Sequence, residues 1–211
     1  MTAEFTLEDI LRFLQSVPMF SDLTGEELSE IVSIMKVQRY APHTPIFSER
    51  EIGDAWYVLL AGWVEVECSN PFQPSPTVAV LSSGSCFGEM AILNEAPRSA
   101  TVRAIQKPPK TEDTLEKNYN FEEESIFRQE EQETVVLRFS RRKFLSLLDQ
   151  NNLAPYKLIY GMAQQLAERQ RSLNGQVRLL EREKTEFQED IEELQTRLDA
   201  HIDSSDMFLT K

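Results

Sequence analysis

The chain is poor in metal-binding residues and in positive charge. Its two histidines, His43 and His201, stand far apart in 211 residues, with no His-x-His pair and no His/Glu set nearby. That speaks against a metal-dependent enzyme, whose ligands are clustered donors at fixed spacing. No serine or cysteine occupies a nucleophile setting, and the chain reads as a non-enzyme. Two cysteines, Cys68 and Cys86, do not make a disulfide framework, which points to a reducing, cytoplasmic setting. The longest apolar runs, such as residues 56–64, are too short to span a bilayer. No basic-then-apolar leader follows Met1, so nothing directs secretion, and no membrane partner is expected. Lysine and arginine total 22 against 35 acidic residues, a formal net charge of −13. Nucleic-acid binding draws on basic charge against phosphate, so no nucleic-acid partner is expected either. The one basic run, Arg138, Arg141, Arg142 and Lys143, reads as the solvated face of a short helix.

What is present falls into three parts. Residues 6–17 place Leu7, Ile10, Leu11 and Leu14 at helical spacing behind Thr6, a plausible N-cap, and Pro18 stops the helix. Residues 24–35 repeat the device, with Thr24 and Glu27 as a capping box and Leu28, Ile31, Val32 and Met35 as the buried stripe. Between 36 and 139 come short runs rich in valine, isoleucine and aromatics: 37–40, 46–47, 56–60, 64–67, 77–81, 100–105 and 134–139. Turn residues such as Gly53-Asp54, Gly62, Asn70-Pro71 and Gly84 punctuate them, a pattern that predicts a sandwich or barrel. Residues 107–133 interrupt it with nine acids and four bases, long and acidic enough to predict disorder, or else a lid or docking arm. Residues 140–150 predict a short helix.

From residue 156 a seven-residue repeat holds without a break. One seam carries Tyr156, Ala163, Gln170, Val177, Lys184, Ile191 and Leu198; the other carries Ile159, Leu166, Leu173, Leu180, Phe187, Leu194 and His201. Six heptads predict a coiled coil. A second copy of the chain is the economical cover for a stripe about 70 Å long.

The segment FGEMAILNEAPRSATV, residues 87–102, sets Glu89 and Arg98 nine positions apart among small and apolar residues. Two readings fit. The two can form an ion pair with each other. Alternatively they hold a ligand: Arg98 would bind an anion through paired charge-assisted hydrogen bonds, beside backbone amides at the start of a helical turn formed by residues 90–93. Glu89 would then accept from a hydroxyl, and Gly88 would permit close approach.

The segment resembles the phosphate-binding cassette of cyclic nucleotide-binding domains, the module of bacterial catabolite activators, cyclic-nucleotide-dependent protein kinases and gated channels. Phe87, Gly88, Glu89, Ala91, Ile92, Pro97, Arg98, Ala100 and Thr101 all fit its pattern. Gly53, Asp54, Tyr57 and Gly62 upstream are similar too, as are residues 17–23 and 138–148. The resemblance implies an α+β fold: an antiparallel β-roll, or double-sheet jelly roll, with N-terminal helices, a short cassette helix and a long C-terminal dimerisation helix. It implies a cyclic nucleotide-binding domain over residues 1–150, with an acidic insertion at 107–133. A coiled-coil helix would follow over 151–203 and a tail over 204–211. Glu89 would bind the ribose 2′-hydroxyl and Arg98 the cyclic phosphate. Gly88, Met90, Ala91, Ser99 and Ala100 would complete the cradle, and Arg169 and Gln170 would meet the base. The expected ligand is cyclic AMP, with cyclic GMP the alternative that Ser99 allows. The expected function is a non-enzymatic sensor, homodimeric through its C-terminal helix and acting on a downstream protein partner. The competing readings are a coiled-coil scaffold whose domain binds nothing, and a transcription regulator acting through another chain.

Overall fold

The computed structural model describes residues 5–69, 77–107 and 133–209, without the side chains of 193 and 197–209. The turn expected at Asn70-Pro71 and nearly all of the acidic insertion lie outside these residues, as do the seam side chains Leu198 and His201. The chain divides into two compact units, Met1–Met162 and Ala163–Lys211.

The first unit opens with α1 (Leu7–Ser16) and α2 (Gly25–Ser33), each begun by a complete capping box, Thr6 with Asp9 and Thr24 with Glu27. Helix α2 ends two residues before the expected Met35. Ile34 takes the C-cap and Met35 opens the first strand opposite Phe139, because the pairing along β8 claims it. Eight strands follow among the described residues: β1 (Met35–Tyr40), β2 (Pro45–Phe47), β3 (Ala55–Ala61), β4 (Trp63–Glu67), β5 (Thr77–Leu81), β6 (Cys86–Phe87), β7 (Thr101–Ile105) and β8 (Thr134–Ser140). They form two four-stranded antiparallel sheets in the orders β1-β8-β3-β6 and β2-β7-β4-β5. This is the α+β double-sheet roll that the strand pattern and the resemblance imply.

Strand β3 explains the layering. All seven of its residues are buried, and successive side chains point to opposite faces. Trp56, Val58 and Leu60 join Phe20, Leu28, Phe139, Phe144 and Leu158 in a core beneath the helices. Ala55, Tyr57 and Leu59 join Phe47, Val64, Phe87 and Val102 in a smaller core shared by the two sheets. The short helices α3 (Met90–Leu93) and α4 (Arg141–Asp149) flank this body. Helix α4 is not simply a solvated basic face: Arg141 pairs with Glu95, and Arg138 just before it pairs with Asp54.

Helix α5 runs Leu153–Leu209 and takes in most of residues 204–211, assigned to a tail. Its first turns belong to the first unit, where Ala154, Leu158 and Met162 are buried and Lys157 bridges to Glu27 at 2.8 Å. In the second unit Leu173, Val177, Leu180, Phe187, Ile191 and Leu194 are exposed. Among the described residues no helix is long and apolar enough to cross a membrane.

Candidate functional site

The segment 87–101 passes from β6 through Gly88, at φ +74°, into α3, and returns through Pro97 and Arg98 to β7. Backbone bonds clamp the return to residues 49–52. Arg98 N–H donates to Glu51 O at 2.8 Å, Arg50 N–H donates to Arg98 O at 2.9 Å, and Pro97 bridges to Ile52. Glu49 N–H donates to the Thr101 hydroxyl at 3.0 Å. Arg98 is thereby fixed at its backbone before its side chain makes any contact.

That side chain turns inward. Arg98 is only 7% exposed, with its Cζ 4.0 Å from the centre of the Phe47 ring and 5.8 Å from that of Tyr57. Nη1 donates to Gly88 O at 3.1 Å and Nη2 to Ala55 O at 2.7 Å. Nε has no partner among the described residues. Burial pulls the guanidinium below its ordinary pKa, partly opposed by Tyr57 and Asp54. A guanidinium carries five N–H donors. Two are used here, and the buried Nε–H awaits an acceptor, a need that an anionic oxygen would meet.

Glu89 is buried as well, at 3% exposure, and the guanidinium of Arg98 beside it reaches the carbonyls of Gly88 and Ala55. Gly88 and Gly53 permit the close packing around Arg98. A Cβ at Gly88 would lie 2.8 Å from Arg98 Nη1; one at Gly53 would lie 2.4 Å from Ala91 Cβ and 3.3 Å from Arg98 Cζ. Of the amides expected to cradle a phosphate, Ala91 N–H donates to Gly88 O at 3.2 Å. Those of Met90, Ser99 and Ala100 have no acceptor among the described residues. Ser99 is exposed and its carbonyl accepts from Cys68 Sγ at 3.8 Å, while Ala100 is buried.

Gly88, Glu89, Met90, Ala91, Arg98, Ser99 and Ala100 are thus brought together within the first unit. Arg169 and Gln170 belong to the second, where Gln170 is exposed on α5 and donates from Nε2 to Asn174 Oδ1 at 3.1 Å. Sequence reasoning missed Phe47 as the floor beneath Arg98 and the Ala55 carbonyl as its anchor. The only signal was the apolar run leading into β3, which shows burial but not what lies on it.

Residues 37–107 match the family model of the cyclic nucleotide-binding domain. Over 95 residues the chain is 40% identical to a cAMP-dependent protein kinase regulatory subunit of Yarrowia lipolytica, a stretch covering 45% of this chain and 24% of that protein. It is 34% identical over 101 residues to cGMP-dependent protein kinase, isozyme 1, of Drosophila melanogaster, covering 47% of this chain and 13% of that one. The matches therefore span about a quarter or less of these relatives. The crystal structure of the Thermus thermophilus catabolite activator protein superposes with a TM-score of 0.57 at 25% identity, covering 77% of this chain and 62% of that one. The model match lies on the strands and cassette that hold Glu89 and Arg98. Over residues 37–107 this chain matches the cyclic nucleotide-binding domain.

Proposed function

We propose that the chain is a non-enzymatic sensor of cyclic nucleotides, cyclic AMP in preference to cyclic GMP. The observation that carries this is Arg98: a buried guanidinium held by two carbonyls, with one buried N–H that has no partner among the described residues. A buried guanidinium with an unmet N–H is unfavourable until an acceptor arrives to take it. A cyclic phosphate is such an acceptor, and Glu89 accepts from the ribose hydroxyl beside it. The relatives named above, a cAMP-dependent regulatory subunit and a cGMP-dependent kinase, support both ligand candidates. On the resemblance alone, Arg169 and Gln170 meet the base. Ligand binding biases one arrangement of the chain over another, read out through pairing of α5 with a second copy and passed to a downstream protein. Residues 1–150 form the sensing domain and 151–203 the pairing helix.

Calorimetry with each cyclic nucleotide tests the site. Charge-assisted hydrogen bonds are worth about 1.5–3 kcal/mol each, so Arg98→Lys, which keeps the charge but loses the fork, should weaken binding by roughly tenfold or more. Glu89→Gln should weaken it too. Undiminished binding by both variants overturns the assignment.

A further inference from the structure

Arg98 lies over a ring that the cassette itself does not supply. Its Cζ stands 4.0 Å from the centre of Phe47, a buried residue of β2. The Tyr57 ring is 5.8 Å away, near the limit of about 6 Å at which a ring still attracts a cation. Phe47 is therefore the ring able to hold this guanidinium.

One stretch of pairing places both partners. Phe47 stands opposite Val102 of β7. Just beyond it, Glu49 N–H donates to the Thr101 hydroxyl at 3.0 Å, and Arg50 N–H donates to Arg98 O at 2.9 Å. Ring and guanidinium thus sit on two segments clamped to each other from residue 47 to residue 50. Gly88 leaves room for both: a Cβ there would lie 2.8 Å from Arg98 Nη1 and 3.4 Å from Phe47 Cε1.

An aliphatic side chain of similar volume would also fill the smaller core to which Phe47 belongs. What a ring adds is a negative face for a cation. The carbonyls of Gly88 and Ala55 take two of the guanidinium's five N–H donors. Hydrogen bonds of that kind lie in the guanidinium plane; the ring meets the plane from one side. Together the three contacts fix the posture in which the buried Nε–H, without a partner among the described residues, is left for a ligand. Without the ring's attraction the long side chain regains other rotamers, and only a fraction of chains would hold that posture. Apparent affinity falls by that fraction.

We infer that Phe47 is a positioning residue for Arg98: the face of its ring holds the guanidinium in the posture in which an anionic ligand meets it. Its bearing on ligand affinity rests on the cyclic-nucleotide reading above; the contact itself does not.

Fluorination of this one ring in the full chain tests the inference. Phenylalanine bearing one, two and three fluorines at position 47 nearly keeps its shape while its negative face is weakened. Cyclic AMP affinity, measured by calorimetry, should fall step by step, by roughly tenfold at the third fluorine, the scale of a desolvated cation–π contact. Phe47→Leu should lose about as much. A ring that only fills the core would give equal affinities along the fluorine series, and that result overturns the positioning role. Urea unfolding supplies a second measurement, as a double-mutant cycle with Arg98→Ala. Contacts of the ring with Tyr57 and Phe87 are common to both backgrounds, whereas the guanidinium is present in only one. Fluorination should therefore destabilise the parent more than the Arg98→Ala chain, and equal losses in the two overturn the contact. A parent chain that binds no cyclic nucleotide overturns the sensor reading instead, and the cycle still decides whether the ring holds the guanidinium.

Discussion

Gly53→Ala probes the packing that holds the cassette in place. Gly53 does not require a left-handed backbone, so the effect is purely steric. A Cβ there would sit 2.4 Å from Ala91 Cβ, against an ordinary contact of 3.4–4 Å. Ala91 has no flexible end to swing aside, so α3 must retreat by about an ångström from the start of β3. Overpacking of this kind costs about 1–3 kcal/mol. Urea denaturation should place the loss in that range, and cyclic nucleotide affinity should fall with it, because the new methyl would also crowd Arg98 Cζ at 3.3 Å. The compensating change is Ala91→Gly. On its own it removes a buried methyl and weakens a helical position by about 1 kcal/mol. In combination it removes the atom that clashes, so the double variant should be more stable than the sum of the two single losses predicts. If Gly53→Ala is as stable as the parent, or if the two losses simply add, then this contact does not position the cassette.

Three other perturbations test other layers. The hydrogen bond from Lys157, helped by the Thr24 N–H, holds Glu27 below its ordinary pKa of 4.5. Its contribution is therefore present above that pH and lost as pH falls through the lowered value. Lys157→Met should flatten the acid limb of the stability curve, and an unchanged limb would refute the linkage. Phe144 joins α4 to Trp56, with ring centres 6.4 Å apart. Phe144→Ala should cost about 3–5 kcal/mol in urea unfolding. Lys184→Leu alone should raise the melting temperature of the proposed α5 pair, since a polar seam residue lowers stability; a fall would refute the seam assignment.

Much of the roll was legible because its strands carry local signals. Valine-rich runs separated by turn residues placed seven of the strands to within two residues, the capping box of Thr24 and Glu27 formed as written, and Thr6, read only as an N-cap, closes a box with Asp9. β6 was missed: Cys86 and Phe87 are too few to show alternation, and only their pairing with Tyr57 and Val58 makes them a strand. Met35 misled because an apolar residue at helical spacing also suits a half-buried strand. The cassette was legible as spacing and resemblance, but the posture of Arg98 was not. Its anchor on Ala55 links residues 43 apart in sequence, and nothing local announces that a guanidinium will turn inward onto an aromatic ring. The ion pairs of Arg138 and Arg141 were hidden for the same reason, since their acids lie far upstream.

Phe47 carries a consequence for how such a site can change. Its ring lies under Arg98 and packs against Tyr57 and Phe87, whose own rings stack 5.3 Å apart. The surface beneath Arg98 is therefore also the interior of the smaller core. Any substitution that retunes the grip on an anion is at the same time a change to what keeps the two sheets joined. Under the proposed function, selectivity is consequently freer to drift around the exposed Ser99 and half-exposed Cys68 than at Phe47, where altering taste means rebuilding the foundation.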